Sequence, residues 1–279
     1  MIFGDSLSDN GEGDGELFDH EYPLPPYYKF RFSNGPVWIE LFPATDLLDF
    51  AYGGSLVNQT APSFGGPGSL MAQINDYLIA NHFDISSVAE ETLYVFWGGA
   101  NDIFYTLSNQ TVTPQGVNDG LAELATGLPL LTTEQVEKLI EAGATNILVM
   151  SIVNWSYEPY GIESFSDAQL QVVTQFTHTL NQAIISNISA IVPDGVTVGF
   201  FDIVGLVSKI RANPDEFGFV DVTNPCLQNY DIFESGVGGA APILCSNPDQ
   251  HFFWDAYHPT ARGHAVIAGE VMRFIGWQG

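Results

Sequence analysis

A serine that follows a short apolar segment at the start of the chain is the first residue that could do chemistry. Ser6 lies in residues 4–9 (GDSLSD), directly after Ile2 and Phe3. A serine hydroxyl is a weak nucleophile, and it attacks a carbonyl only when an adjacent base takes its proton. The alternative is structural, because serine is also a preferred residue at the N-cap of a helix. The segment alone leaves both interpretations open.

A base for such a serine is present near the end of the chain, in residues 255–260 (DAYHPT). Asp255 and His258 are three residues apart, so a single turn brings the carboxylate against one imidazole nitrogen and leaves the other free for a hydroxyl. An aspartate so placed fixes the tautomer and orientation of the histidine in Ser-His-Asp systems. The structural alternative is a helix start with a surface histidine, since Pro259 suits a first helical turn.

Two further segments could supply hydrogen-bond donors to an oxyanion. In residues 51–55 (AYGGS), paired glycines let the backbone turn sharply, which leaves the N–H of Gly54 unobstructed. In residues 97–102 (WGGAND), the side-chain amide of Asn101 could donate to a developing negative charge. An ordinary tight turn and a helix cap at Asp102 are the structural alternatives for these two segments.

The elements that must position these four segments are solid apolar runs that alternate with helix-like stretches. Strands are predicted at residues 2–3, 47–52, 92–97, 147–152 and 196–201, where β-branched and aromatic residues suit burial on both faces. Helices are predicted at residues 69–83, 133–142, 167–191 and 258–277, and residues 213–257 are predicted to be long and irregular. This alternation predicts a doubly wound parallel sheet, whose carboxyl edge is where ligands bind.

Taken together and in this order, the four segments resemble the GDSL, or SGNH, hydrolase superfamily, which is named for a Ser, a Gly, an Asn and a His in separate blocks. The matching residues here are Ser6 in GDSLSD, Gly54 in AYGGS, Asn101 in GGAND and His258 in DAYHPT. The resemblance extends from Gly4 to about Ala268. Residues 31–38 (RFSNGPVW) further resemble the branch that holds fungal carbohydrate acetylesterases, plant GDSL esterases and bacterial thermolabile-haemolysin lipases.

The resemblance implies a three-layer α/β/α sandwich with a central parallel sheet of about five strands in flavodoxin-like order. It also implies acyl-ester hydrolysis without a cofactor. Carried onto the matching positions, Ser6 would be the nucleophile, His258 its base and Asp255 the partner of that base. The backbone N–H groups of Ser6 and Gly54 and the side-chain amide of Asn101 would form the oxyanion hole. The length suits one hydrolase domain over residues 1–279.

The charge and histidine patterns exclude several function classes. The chain has 7 Lys and Arg against 33 Asp and Glu, a formal net charge of −26. Such a surface repels nucleic acid and anionic lipid, so neither a nucleic-acid nor a membrane partner is expected. His20, His82, His178 and His251 lack metal-ligand spacing, so no metal site is expected. His264 is interpreted as a packing or helix-surface residue.

Cysteines and sequons favour the secretory route. Cys226 and Cys245 lie in turn-rich sequence and are predicted to form a disulfide, two buried thiols being the alternative. Sequons of the form N-x-[ST] begin at Asn58, Asn109, Asn154 and Asn187. We therefore expect a secreted protein. No signal peptide is visible, and the chain opens inside a predicted strand, so we expect the native chain to begin before Met1.

The substrate is the least determined part of the prediction. Aromatic residues near the four segments could stack on sugar rings, line an acyl pocket or simply pack in the core: Tyr27, Tyr28, Phe30, Phe32, Trp38, Trp97, Trp254 and Tyr257. The polar, acidic composition and the lack of an evident amphipathic lid favour a secreted acetylesterase acting on acetylated hemicellulose oligosaccharides. The alternatives are a lipase or phospholipase of the same family, and a carbohydrate-binding protein on an inactive hydrolase scaffold. A glycosidase using Asp14/Glu16 or Glu90/Glu91 is disfavoured, because its carboxylates must face each other across a cleft.

Overall fold

A computed structural model describes residues 1–12, 22–44, 46–57, 68–108, 114–230 and 241–276 of the chain. Several residues considered above lie outside this set, namely Asp14, Glu16, His20 and the sequon residues Asn58 and Asn109. Over the described residues the chain forms an α/β fold with a parallel central sheet flanked by helices.

The central sheet has four parallel strands in the order β1-β2-β3-β4. Their bounds are Ile2–Gly4 (β1), Tyr94–Trp97 (β2), Asn146–Met150 (β3) and Thr197–Phe201 (β4). The predicted strand at residues 47–52 lies on the free side of β1, but it forms only an isolated parallel bridge between Asp49 and Ile2. Hydrogen bonds of 2.9 Å join the Ile2 N–H to the Leu48 carbonyl and the Phe50 N–H to the Ile2 carbonyl. The prediction of about five strands is therefore met by four strands and one bridged segment.

Eight helices flank the sheet in the part of the chain that is described. Their bounds are Leu70–Ala80 (α1), Ala100–Ser108 (α2), Pro114–Glu141 (α3), Pro159–Ser164 (α4), Asp167–Ile191 (α5), Ile203–Ala212 (α6), Pro214–Phe217 (α7) and Ala261–Phe274 (α8). Short 3-10 turns lie at Trp38–Leu41, Ser86–Val88, Trp155–Tyr157 and Pro248–Gln250. The bounds of α5 match the prediction, because its apolar stripe runs uninterrupted from end to end. Helix α3 is longer than predicted, since it begins at Pro114 instead of residue 133 and includes Pro129.

Alternate residues of the strands point into two separate cores, which gives the predicted three layers. Phe3, Phe96 and Val149 pack with helices α1, α3 and α5 on one face. On the other face, Ile2, Val95 and Leu148 pack with α6, α8 and the turn at Trp38–Leu41. Since both faces are covered, the strands do not alternate with polar residues; only the first residues of β3 and β4, Asn146 and Thr197, are polar.

The segment 213–257 is less irregular than predicted. It contains α7 and a two-stranded antiparallel ribbon of Leu227–Gln228 (β5) and Ile243–Leu244 (β6). The predicted disulfide between Cys226 and Cys245 is present at the base of this ribbon. The Cys226 N–H donates to the Phe253 carbonyl and the Leu227 N–H to the Trp254 carbonyl. The ribbon is thereby attached to the residues that immediately precede Asp255. No helix among the described residues has the length and apolar character needed to cross a membrane.

Candidate active site

The four segments identified from sequence converge at the carboxyl edge of the sheet. Ser6 follows β1, Gly54 follows the bridged segment 47–52, and Asn101 lies in the first turn of α2 just after β2. His258 lies in the loop before α8. All four line one pocket of about 250 Å³. Because parallel strands end at the same edge, residues 252 positions apart in the chain come into contact there.

Ser6, His258 and Asp255 form a continuous hydrogen-bonded chain. The Ser6 Oγ atom is 2.8 Å from His258 Nε2. On the other side of the ring, Nδ1 is 2.8 Å from Asp255 Oδ2 and 2.9 Å from Oδ1. This arrangement gives a hydroxyl whose proton can pass to an imidazole that a carboxylate holds in one orientation.

The Asp255 carboxylate is buried and accepts several hydrogen bonds. The backbone N–H groups of Tyr257 and His258 each donate to its Oδ1 at 2.7 Å, which explains why the carboxylate and imidazole are three residues apart. Burial by itself would raise the pKa of Asp255, but the neighbouring His258 and these hydrogen bonds together hold it below its ordinary value. Asp255 is therefore an anion at neutral pH.

Tyr27 is a partner of Asp255 that the sequence did not identify. Its hydroxyl donates to Asp255 Oδ2 at 2.7 Å, across 228 residues of sequence. Burial, together with the adjacent carboxylate, raises the pKa of Tyr27, so the phenol remains a donor. In the sequence, Tyr27 stood out only as one of several aromatic residues that follow residues 4–9. Such a position does not distinguish a hydrogen-bond partner of Asp255 from a residue that packs in the core.

The geometry of the three predicted donors, the N–H groups of Ser6 and Gly54 and the side-chain amide of Asn101, is compatible with an oxyanion hole. The N–H groups of Ser6 and Gly54 have no acceptor among the described residues, so both are available to a ligand. Gly54 has a φ of 79°, a conformation that favours glycine. The Asn101 side-chain nitrogen donates one hydrogen to the Ser55 carbonyl at 3.0 Å, which fixes the amide and leaves its second hydrogen unused.

Buried polar side chains hold these donors in place, and sequence analysis did not identify their roles. Gln73 of α1 bonds both backbone groups of Gly4 at 2.9 Å, and its Nε2 also donates to the Ser55 hydroxyl at 3.2 Å. Asp9 accepts the Gly53 N–H at 2.8 Å. At Gly53 itself, a Cβ atom would lie 2.2 Å from the Phe32 ring, so only glycine fits. The first two segments are therefore locked to each other as well as to the sheet.

The aromatic residues divide between this pocket and the core. Of those singled out from sequence, Phe32 and Tyr257 line the pocket, whereas Trp38 and Trp97 pack in the core beneath the sheet. Tyr27 and Trp254 pack beside the disulfide. Four further aromatic residues that line the pocket were not predicted: Tyr22, Tyr52, Phe104 and Trp155.

The remaining candidates lie away from the site. His264 is buried and accepts the Trp38 N–H at 3.3 Å, which agrees with a packing role, and burial lowers its pKa to about 3. Glu90 and Glu91 are exposed and precede β2, at the sheet edge opposite the pocket. Across the described ranges, no group of three His, Cys, Asp or Glu residues could hold a metal ion.

Buried carboxyl groups around the first segment should make folding stability depend on pH. Burial raises the pKa of Asp5 and of Asp9 to about 7, and that of Asp102 to about 6. A carboxyl whose folded pKa exceeds its unfolded value stabilises the fold below the unfolded pKa, and that contribution is lost as the pH rises through the folded pKa. Two groups oppose this trend, because burial lowers the folded pKa of His264 to about 3 and that of the Met1 amine to about 6. The raised pKa of Glu158 adds to the trend, so four carboxyl groups act in the predicted direction against these two.

We therefore predict that the free energy of unfolding falls as the pH rises from about 4.5 to about 7. Urea unfolding at several pH values measures this dependence, and Asp9→Asn serves as the matched variant because it removes one of the titrating groups. The slope should be shallower in Asp9→Asn than in the parent. A parent whose stability rises across this range would contradict the assignment of protonated carboxyls.

Comparison with known proteins places the chain in a family. The model of the family described as GDSL-like Lipase/Acylhydrolase matches residues 1–271. Relatives include the phosphatidylcholine-sterol acyltransferase of Aeromonas hydrophila, 23% identical over 99% of this chain and 89% of that protein. The thermolabile hemolysin of Vibrio parahaemolyticus is 24% identical over 98% of this chain, which spans 62% of that protein. GDSL esterase/lipase 6 of Arabidopsis thaliana is 24% identical over 79% of this chain and 62% of that protein.

These relatives are bacterial and plant proteins, so the predicted likeness to fungal carbohydrate acetylesterases remains a prediction. The likeness to plant GDSL esterases and to thermolabile haemolysins agrees with the comparison. Because the family match spans nearly the whole chain and the four segments meet in one pocket, the chain belongs to the GDSL-like lipase/acylhydrolase family of carboxylic ester hydrolases.

Proposed function

We propose that this protein hydrolyses carboxylic esters by nucleophilic attack of Ser6, with His258 as the general base and Asp255 as its orienting partner. The observation that carries the proposal is the 2.8 Å contact between Ser6 Oγ and His258 Nε2, continued at 2.8 Å from Nδ1 to Asp255. The same geometry disfavours an inactive binding scaffold, because a scaffold that only binds sugar has no need of a buried Ser-His-Asp chain.

The reaction follows from the positions of these atoms. As Ser6 Oγ bonds to the ester carbonyl carbon, its proton passes to His258 Nε2, and Asp255 stabilises the resulting imidazolium. The oxyanion accepts hydrogen bonds from the Ser6 N–H, the Gly54 N–H and the Asn101 amide, each typically worth about 3–4 kcal/mol. Collapse of the intermediate expels the alcohol, which takes the proton from His258. Water then attacks the acyl-enzyme by the same route and releases the acid.

We propose short acyl esters, and acetyl esters of neutral oligosaccharides in particular, as the substrate class. The pocket is small, at about 250 Å³, and aromatic rings supply much of its wall. Phe104 and Trp155 stack at a centroid distance of 5.2 Å, and Tyr257 meets Phe104 edge-on at 5.7 Å. A packed wall of this kind limits the depth available to an acyl chain. Neutral sugars are also indifferent to the net charge of −26.

A lipase or acyltransferase is the second candidate, and the relatives favour it. The Aeromonas hydrophila relative that covers 99% of this chain is named a phosphatidylcholine-sterol acyltransferase. If this chain shared that chemistry, a long acyl group would occupy the pocket and an alcohol could replace water in the second step.

We also propose that the protein is secreted. The disulfide between Cys226 and Cys245 suits an oxidising compartment, and one relative is named a secreted effector protein. Glycosylation at Asn154 is disfavoured, because its side chain is 3% exposed and bonds both the Ser156 N–H and the Thr174 hydroxyl.

Ser6→Ala should lower kcat for p-nitrophenyl acetate by about 10⁴-fold or more, because the nucleophile is removed while the fold is retained. Ser8→Ala is the matched control, since the Ser8 hydroxyl accepts the Trp38 indole N–H and does not line the pocket. Circular dichroism should show both variants folded. Activity of folded Ser6→Ala within tenfold of the parent would falsify the nucleophile assignment.

Tyr27→Phe should lower kcat by about tenfold with little change in KM, because it removes one charge-assisted hydrogen bond to Asp255. The neighbouring Tyr28→Phe is the control, as Tyr28 is partly exposed and contacts Lys29 and Arg31 through its ring. Steady-state kinetics on both variants measures the difference. Equal kcat values in the two variants would mean that Tyr27 only packs.

The substrate class is tested by a series of p-nitrophenyl esters from two to eight carbons, with acetate release from acetylated xylo-oligosaccharides measured in parallel. We expect the highest kcat/KM at two to four carbons, and acetate release. An acyl tunnel would instead add about 0.8 kcal/mol per buried methylene, giving a steady rise with chain length. A rise that continues to eight carbons, without acetate release, would replace the first candidate with the lipase.

A further inference from the structure

Glu158 is a buried carboxylic acid in the pocket that the proposed reaction does not use. It follows the turn at Trp155–Tyr157 and occupies the N-cap position of α4, yet its side chain makes no capping hydrogen bond. The residue is 6% exposed and lines the same pocket as Ser6 and His258. Within the described part of the chain, nothing forms a hydrogen bond with its carboxyl group. A largely buried carboxyl group without a protein partner is uncommon, and its place in the pocket wall points to a role toward the substrate.

A second, smaller cavity lies directly behind Glu158. It has a volume of about 30 Å³ and adjoins the catalytic pocket, because four residues line both: Leu7, Val153, Glu158 and Tyr257. We call these four residues the neck. Beyond the neck the wall is mostly apolar and includes Trp97, Val207 and Phe252. A volume of 30 Å³ holds about two water-sized groups, which is also about the size of two methylenes.

The charged form of the Glu158 carboxyl group is disfavoured at the neck. Burial first, and then the carboxylates of Asp255 and Asp5, raise the pKa of Glu158 well above its ordinary value. A carboxyl group shared by both linings takes up space in the neck, and it gives a passing alkyl chain a polar surface instead of an apolar one. We call this second cavity, whose wall is mostly apolar, the inner cavity.

We propose that Glu158 sets the upper limit of acyl chain length by closing the neck between the catalytic pocket and the inner cavity. This proposal rests on the ester hydrolysis proposed above. It explains how a family fold whose relatives bear the names of lipases and acyltransferases could be restricted to short acyl groups by one side chain.

The test compares p-nitrophenyl acetate with p-nitrophenyl hexanoate in the full chain, using Glu158→Ala and Glu158→Gln. The Ala variant opens the neck, whereas the Gln variant keeps its shape and its hydrogen-bonding character. Each newly buried methylene is worth about fourfold in kcat/KM, which is 0.8 kcal/mol converted at 1.36 kcal/mol per tenfold. With room for about two methylenes, the hexanoate-to-acetate ratio should rise about 15-fold in Glu158→Ala and stay within about twofold of the parent in Glu158→Gln.

Two further variants keep the test decisive. Val207→Phe fills the inner cavity, so Glu158→Ala combined with Val207→Phe should return the ratio to the parental value. Should Glu158→Ala fail to fold by circular dichroism, Val153→Ala widens the same neck and should raise the ratio in the same direction. A purely structural role for Glu158 would lower activity on both esters equally and leave the ratio unchanged.

The outcomes separate this proposal from the function on which it rests. A parent that hydrolyses neither ester refutes the proposed function. A parent that hydrolyses acetate, with a ratio unchanged in Glu158→Ala and Val153→Ala, refutes only the role of Glu158. An equal rise in Glu158→Ala and Glu158→Gln also refutes it, because charge rather than closure would then set the limit.

Discussion

The site depends on the stabilisation of one buried anion. An ionised carboxylate inside a protein is tolerated only when hydrogen bonds replace its lost hydration, and Asp255 receives them from the Tyr27 hydroxyl, two backbone N–H groups and the His258 ring. These donors come from different parts of the chain, and each part must fold correctly for its donor to reach Asp255. The Tyr27 loop must fold back over the site, and the disulfide ribbon must hold the preceding residues in place. Only then does His258 face Ser6 with a fixed tautomer, so the hydrogen bonds of Asp255 couple folding to chemistry.

The parallel sheet provides the second constraint, because it decides which segments can meet. β1, β2 and the bridged segment 47–52 end side by side, and their carboxyl ends deliver Ser6, Asn101 and Gly54 to one pocket. The aligned strands bring these segments to the same edge, but the segments themselves are loops, and the strands alone do not fix their exact positions. Gln73 supplies the remaining accuracy by bonding Gly4 and the Ser55 hydroxyl at once, from a helix that belongs to neither segment. The proposed oxyanion donors are thus fixed before a substrate arrives, as electrostatic stabilisation of an oxyanion would require.

Much of this arrangement could be predicted from sequence, and the failures have identifiable physical causes. Continuous apolar runs predicted β1 to β4, and a continuous apolar stripe predicted α5 up to its last residue. These predictions succeed because the local pattern and the burial in the fold agree there. The prediction was too short in α3, which begins at Pro114 rather than at residue 133 and contains Pro129, a residue that disfavours a helix interior. Tyr27, Gln73 and Glu158 were not identified, since the role of each depends on residues that only the fold brings near it. A tyrosine, a helical glutamine and a glutamate before a proline have ordinary local roles that sequence cannot distinguish from these.

Two buried carboxyl groups near the pocket, those of Asp255 and Glu158, have pKa values shifted in opposite directions, and this difference bears on the chemistry of the site. Donors aimed at Asp255 help to hold its pKa below the ordinary value, whereas burial and the charge of Asp255 raise the pKa of Glu158 well above its ordinary value. Two anions at these positions would repel each other and any oxyanion forming at Ser6. Because the charged form of Glu158 is disfavoured, the negative charge of the site lies behind His258, where it would stabilise the imidazolium of the proposed reaction. With less negative charge in the pocket wall, the negative potential at the ester carbonyl is weaker. In the proposed reaction this favours the build-up of negative charge on the ester oxygen.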